Sequence, residues 1–193
     1  MRSIWAVAAA LTMLLSLPLA VLSQALGPNA PEIVVHVVLG TGMLLLVRAA
    51  FDFRLPRWIN VIGVLSAGAF AVVFLLQALS RLLPENAALH DVAFGLLGNW
   101  PERLLVLGLD VWFVGLLLRG TQGTTRLIGW AIIPILTAYH VITLVGAILA
   151  ITIPSFGVFS FLPPFVWLLI EGAKRASGAV GTRPTDAEQM LTA

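Results

Sequence analysis

The feature that most constrains the fold of this chain is a series of long apolar blocks, separated by short stretches that carry most of its charges. An α-helix needs about 20 mostly apolar residues to cross the hydrocarbon core of a bilayer. Six blocks are near this length: Ile4–Ala25, Ile33–Ala50, Ile59–Ser80, Pro101–Leu118, Leu127–Leu149 and Ser155–Ile170. Only 10% of the 193 residues are charged, whereas a soluble domain has about 25%. The sequence therefore predicts an all-α transmembrane bundle of six helices.

The predicted bundle comprises residues 1–176 and precedes a tail, residues 177–193, whose polar composition with Gly and Pro predicts a flexible cytoplasmic segment. Between the third and fourth blocks, the stretch Ala87–Leu97 is apolar enough to form a short helix that lies on the bilayer surface. Pro163 and Pro164 fall in the middle of the sixth block. We therefore expect that span to be kinked or partly re-entrant.

The first block has a second interpretation as a signal peptide. Arg2, the apolar run after it and Ser23–Ala25 resemble a secretory signal with its cleavage site. The run from Ile4 to Leu22 is longer than the roughly 7 to 15 residues of a signal core, which favours a retained span. Cleavage would leave five spans in the same orientation.

The positions of the basic residues predict the orientation, because Lys and Arg concentrate in short cytoplasmic loops. With the N-terminus inside, only Arg81 and Arg103 fall outside. The other nine of the eleven basic residues fall inside: Arg2, Arg48, Arg54, Arg57, Arg119, Arg126, Lys174, Arg175 and Arg183. Both termini are therefore predicted to be cytoplasmic.

Several classes of chemistry have no support in the sequence. The chain has no cysteine, which excludes disulfides, thiolate nucleophiles and Cys-ligated metal centres. We find no phosphate-binding glycine loop, no zinc-finger spacing and no basic stripe with interleaved aromatic residues, so nucleic acid is not expected as a partner. No serine lies in a Gly-x-Ser-x-Gly motif.

One turn carries a resemblance to known proteins. The residues Leu55-Pro56-Arg57-Trp58, followed by Gly63 and a run of small residues, resemble turns in bacterial multi-pass inner-membrane proteins of unknown function. The resemblance covers about one hairpin. It implies a small protein of the bacterial inner membrane and transfers no active residue.

Asp110 is the most unusual residue of the predicted spans, because it lies near the middle of the fourth one. An Asp at that depth costs about 2.5 to 3.5 kcal/mol on insertion scales. Its neighbours on the same helix face are apolar, so we expect the carboxyl either to be protonated or to pair with another helix. His140 is the natural partner, because both residues lie roughly 15 to 20 Å from the turn 120–126 at 1.5 Å per residue.

Thr137 and Thr143 lie three residues before and after His140, which gives the fifth predicted span a polar stripe that should face the bundle interior. One interpretation of this intramembrane polar set is a proton-relay or substrate-contact site. The other is a buried Asp–His hydrogen bond that fixes helix packing. The sequence leaves both open.

His36 suggests a different site, on the outer part of the second predicted span. Gly40 lies one turn below it on the same face and would let a flat porphyrin approach. His140 would then supply the second axial imidazole of haem b. The two histidines differ in depth by roughly 7 Å, which weakens the pair. His90-Asp91, with Glu32 and His36, could offer metal ligands, but no ligand spacing supports a metal site.

Small residues recur at helical spacing in two blocks. Gly63, Ala67 and Ala71 do so in the third, and Ala6 with Ala10 in the first. Faces of this kind let helix backbones approach closely. They indicate packing within the bundle, contact with another membrane protein or self-association.

The leading functional hypothesis is a small integral membrane protein without catalytic chemistry, an accessory, regulatory or interaction component of the bacterial inner membrane. It rests on the presence of one polar pair and the lack of a nucleophile, a cofactor motif or a soluble module. The first alternative is a proton-coupled carrier or channel that uses Asp110 and His140. The second alternative is a b-type haem protein that uses His36 and His140.

Overall fold

The computed structural model describes residues 4–26, 30–53, 55–95, 100–121, 123–151, 153, 160 and 162–181, and all regular structure within them is helical. The helices are α1 (Ile4–Leu26), α2 (Ala30–Ala50), α3 (Arg57–Leu82), α4 (Ala87–Gly95), α5 (Trp100–Gly115), α6 (Thr124–Ile148) and α7 (Leu162–Gly181). A π-helical turn, Leu116–Gly120, continues α5. The predicted all-α class is confirmed. Four of these helices, α1, α2, α3 and α6, are long and apolar enough to cross a membrane.

The six long helices form a closed cycle of neighbours in the order α1, α2, α3, α5, α6, α7, with α7 packed against α1. Neighbours run antiparallel. Trp112 of α5 lies against Gly63 of α3, and Gly172 near the end of α7 lies against Val7 near the start of α1. The short helix α4 packs on α3; it matches the predicted short helix, whereas its position on a bilayer surface stays a prediction.

Large apolar side chains occupy both the inside and the outside of this cycle. Inside, the ring of Phe113 on α5 makes edge contacts with Phe165 and Trp167 of α7, at centroid distances of 5.8 and 6.3 Å. Outside, Leu127 and Ile135 of α6 are 71% and 69% exposed. An outer surface of this kind is stable in hydrocarbon and costly in water. The outward faces are therefore those of a membrane protein.

The small-residue faces lie inside the bundle. Ala6 and Ala10 of α1 and Ala71 of α3 are fully buried, and Ala67 is 1% exposed. A Cβ placed on Gly63 would lie 2.5 Å from the indole of Trp112. These faces allow close contact between helices of the same chain. Contact with another membrane protein or self-association through small-residue faces stays a prediction.

The expectation of a proline kink within the last helix is wrong, whereas the re-entrant alternative falls on residues outside the described part of the chain. Pro163 and Pro164 lie in the first turn of α7, which begins at Leu162. The N–H groups of a first turn have no acceptor within the helix, so proline is tolerated there. The helix also continues to Gly181, past the predicted boundary at residue 176. Residues 154–159, 161 and 182–193 lie outside the described part of the chain.

Candidate functional site

The structure brings Asp110 of α5 and His140 of α6 into direct contact. The Nδ1 atom of His140 lies 2.7 Å from Oδ2 of Asp110. Each residue is only 4% exposed. A hydrogen bond between two buried ionisable groups is short and strong because little water competes with it. The pair therefore joins α5 to α6 in the interior of the protein.

The two threonines that flank His140 have different environments. The hydroxyl of Thr143 donates a 2.9 Å hydrogen bond to the backbone carbonyl of His140, so it is satisfied within its own helix. The Oγ1 atom of Thr137 is buried and has no hydrogen-bond partner within the described residues. The ring of Tyr139 lies 5.4 Å from that of His140. Of the two threonines, only Thr143 has its hydroxyl in a hydrogen bond among the described residues.

His36 lies in another part of the bundle, in the second turn of α2. Its Nδ1 is 2.7 Å from the backbone carbonyl of Glu32, and its ring lies 6.4 Å from each of the rings of Phe74 and Phe94. The helix α2 packs between α1 and α3, whereas α6 packs between α5 and α7. The helices that carry His36 and His140 therefore have different neighbours. The haem alternative, which needs both imidazoles at one site, stays a prediction.

The residues considered as metal ligands make contacts of other kinds. The ring of His90 lies 4.6 Å from that of Phe94, which also lies 6.4 Å from the ring of His36. Glu32 pairs with Arg81 at 2.9 Å. Among the described residues, no three His, Asp or Glu side chains are grouped as metal ligands.

A second buried polar cluster, which the sequence did not reveal, joins α6 to α7 at the opposite end of the bundle. Glu171 is 3% exposed and accepts hydrogen bonds from Thr125 Oγ1 at 2.7 Å and from Arg175 Nε at 2.8 Å. Lys174 Nζ donates to Thr125 Oγ1, and Trp167 Nε1 donates to the Thr125 carbonyl. The polar atoms of this cluster satisfy one another, as a structural cluster requires.

One signal in the sequence could have identified Glu171. It is the first acidic residue after a long apolar run, and Arg175 follows it by four residues, the spacing of an ion pair on one helix face. Thr125 could not be found in this way, because its contact with Glu171 depends on how α6 and α7 are rotated against each other.

The face of α3 that meets α5 supports Asp110. Gly108 of α5 lies so close to α3 that a Cβ there would meet Ser66 Oγ. Two residues beyond Asp110, Trp112 donates an indole hydrogen bond of 3.2 Å to Asn60 of α3. These contacts fix the rotation of α5, and with it the direction in which the Asp110 carboxyl points.

Comparison of the chain with protein-family models, curated proteins and solved structures found no match.

Proposed function

We propose that this protein is a six-span integral membrane protein of the bacterial inner membrane, with both termini in the cytoplasm. It acts without catalytic chemistry, as an accessory, regulatory or interaction component. The observation that carries the proposal is the contact between Asp110 and His140, each 4% exposed. This ionisable pair in the interior links two helices, α5 and α6.

The lengths of the helices support six spans. The 16 residues of α5 and the 5 residues of its π-helical continuation reach about 30 Å at 1.5 Å per residue. The hydrocarbon core of a bilayer is about 30 Å thick, so α5 with this continuation is long enough to cross. The 20 residues of α7 reach about the same length, with Glu171, Lys174 and Arg175 toward the proposed cytoplasmic end. Both helices belong to one cycle with the four more apolar helices, which supports counting them as spans.

The distribution of charge supports the orientation. Arg48 at the end of α2, Arg57 at the start of α3, and Lys174 and Arg175 in α7 all belong to one end of the antiparallel bundle. Basic residues near the ends of spans favour the cytoplasmic face. The packing of α1 between α2 and α7 supports its retention as the first span in place of cleavage as a signal peptide.

A flux experiment tests whether the pair carries protons. The purified protein is reconstituted into liposomes that contain a pH-sensitive dye, and a proton gradient is imposed. We expect vesicles with wild-type protein and with Asp110→Asn to be as proton-tight as empty vesicles. A flux through the wild type that Asp110→Asn abolishes would overturn the proposal.

Co-purification tests the proposed role as an interaction component. The tagged chain is isolated from native membranes and bound proteins are quantified by mass spectrometry. We expect a membrane-protein partner in near-stoichiometric amount that is lost with Asp110→Ala, because the variant loosens α5 from α6. Recovery of the chain without any partner from gently solubilised membranes would count against an accessory role.

The second candidate function is a proton-coupled carrier or channel. The specific observation in its favour is Thr137, whose buried hydroxyl has no partner among the described residues and lies about one helical turn from His140. A hydroxyl of this kind is suited to contact a polar substrate or a water molecule. Proton flux that Thr137→Val reduces, at an unchanged melting midpoint, would favour this candidate over the first.

A further inference from the structure

Three arginines lie at the junction where α3 begins, α5 ends and α6 begins. Arg57 is the first residue of α3, Arg119 lies in the π-helical turn after α5, and Arg126 lies in the first turn of α6. All three side chains are exposed. We refer to Arg57, Arg119 and Arg126 as the arginine junction.

Packing contacts hold the three helix ends of the arginine junction together. A Cβ on Gly115 of α5 would lie 2.7 Å from Ile59 and 3.7 Å from Leu55, the residues on either side of Arg57. A Cβ on Gly129 of α6 would lie 2.6 Å from Leu117 of the π-helical turn. The backbones of all three ends therefore approach closely, and their arginines extend from one small region.

The acidic groups at this end of the bundle are engaged elsewhere. Asp52 pairs with Arg48 at 3.1 Å, and Glu171 pairs with Arg175 at 2.8 Å. Within the described ranges, no carboxylate lies within ion-pair distance of the arginine junction. Three exposed arginines therefore extend from neighbouring helix ends, and no carboxylate among the described residues neutralises them. This arrangement suits an anion site.

The surroundings of the arginine junction are those of the membrane interface. Trp58 and Trp130 are 61% and 48% exposed, and Leu118 and Leu127 on the facing ends of α5 and α6 are 48% and 71% exposed. Tryptophan is typical of the level of lipid headgroups. The exposed side chains of Leu118 and Leu127 thus offer an apolar surface to the chains of a lipid whose anionic headgroup binds the arginines.

The π-helical turn that carries Arg119 is a rare element, and such turns are frequent at functional sites.

We propose that the arginine junction binds the phosphate of an anionic phospholipid, with the acyl chains lying along the outward faces of α5 and α6. Basic pockets between spans on the cytoplasmic side bind anionic headgroups in this way. Guanidinium groups suit the task because their planar donors bind phosphate oxygens in pairs. The inference rests on the proposed function to the extent that α5 and α6 must cross the membrane.

Lipid exchange into nanodiscs tests the proposal with the full chain. The protein is placed in phosphatidylcholine nanodiscs that contain a minor fraction of phosphatidylglycerol, and the lipids retained after release are measured by native mass spectrometry. We expect the wild type to retain phosphatidylglycerol in preference to phosphatidylcholine. Each Arg→Gln substitution at the junction should lower that preference about fivefold, since one basic group near a membrane surface contributes about that factor.

Matched variants make the outcome specific. Arg103→Gln, near the other end of α5, should leave the preference unchanged. Arg119→Lys with Arg126→Lys should retain only part of it, because Lys keeps the charge but lacks the paired donors. Equal retention of both lipids by the wild type, or an equal loss in Arg103→Gln, would overturn the proposal. Displacement of the lipid by equimolar inorganic phosphate would also overturn it, because the occupant would then be a free anion.

Failure of the inference can be distinguished from failure of the proposed function. Extraction of native membranes with alkaline carbonate reports whether the chain is integral, independently of any lipid preference. Melting midpoints in pure phosphatidylcholine report whether the Gln variants fold. A folded, carbonate-resistant protein without lipid preference would contradict only the arginine junction.

Discussion

Thr125 at the first turn of α6 donates a 2.7 Å hydrogen bond to the carboxylate of Glu171 on α7, a residue that is 3% exposed. The same threonine accepts a hydrogen bond from Lys174 and, through its carbonyl, one from Trp167. One residue of α6 thus connects with three residues of α7. These contacts join α6 to α7, two neighbouring helices that are separated along the chain by the 13 residues 149–161.

We expect Glu171→Ala to lower the free energy of unfolding by about 1–3 kcal/mol, because it leaves Thr125 and Arg175 without their buried acceptor. The melting midpoint in detergent micelles measures the loss. Glu85→Ala removes an exposed carboxylate from the turn between α3 and α4 and serves as the control. Equal midpoints for both variants would show that the cluster contributes nothing to stability.

A double-mutant cycle on Asp110 and His140 should show energetic coupling between α5 and α6. Either single change to Ala leaves the other polar group buried without its partner, whereas the double change removes both. We expect a coupling energy of about 0.5–3 kcal/mol in unfolding titrations. As a control, the changes in unfolding free energy of Asp110→Ala and Glu85→Ala, on different helical segments, should add in the double variant. If the effects of the Asp110 and His140 changes also simply add, the observed contact would be contradicted.

Two glycines provide a matched test of the interface between α3 and its neighbours. A Cβ on Gly108 would meet Ser66 Oγ, whereas a Cβ on Gly68 would meet only Val47, at 4.0 Å. We expect Gly108→Ala to lower the free energy of unfolding by about 1–3 kcal/mol through overpacking. Gly68→Ala should leave the free energy of unfolding unchanged. Ser66→Gly should recover part of the loss at Gly108. Melting midpoints measure both effects. A smaller loss of stability in Gly108→Ala than in Gly68→Ala would contradict the close contact of Gly108 with Ser66.

The proposed orientation is open to a labelling experiment, because the chain has no cysteine of its own. Glu85→Cys and Ser177→Cys introduce single thiols at the outer turn and near the end of α7. In intact cells, we expect a membrane-impermeant maleimide to modify only Glu85→Cys. Ser177→Cys should react after the membrane is permeabilised. The reverse pattern, or labelling of both in intact cells, would contradict the proposed topology.

Sequence reasoning was most successful where the physical cause is local. The helical class and the positions of α1, α2, α3 and α6 follow from runs of apolar residues near the length of a span, which is a property of each segment alone. The proximity of Asp110 and His140 was accessible because a short turn joins their helices and the helical rise fixes depth. Both inferences needed only distances along the chain.

Errors arose where position along the chain does not determine structure. Pro163 and Pro164 were expected to kink a helix because they fall in the middle of an apolar block. The helix begins only at Leu162, and apolar composition does not mark where a helix begins. Glu171 was missed because its partner Thr125 lies on another helix.

The sequence alone determined that this chain forms long apolar helices and where its few polar side chains lie along them, because backbone hydrogen bonding and hydropathy act within each segment. The tertiary structure decided the cyclic order of the helices, the closure of Asp110 on His140 and the burial of Glu171. The physical reason is that these helices are apolar on nearly all sides, so hydropathy does not fix their rotation. Glycine contacts, aromatic packing and a few hydrogen bonds fix it instead.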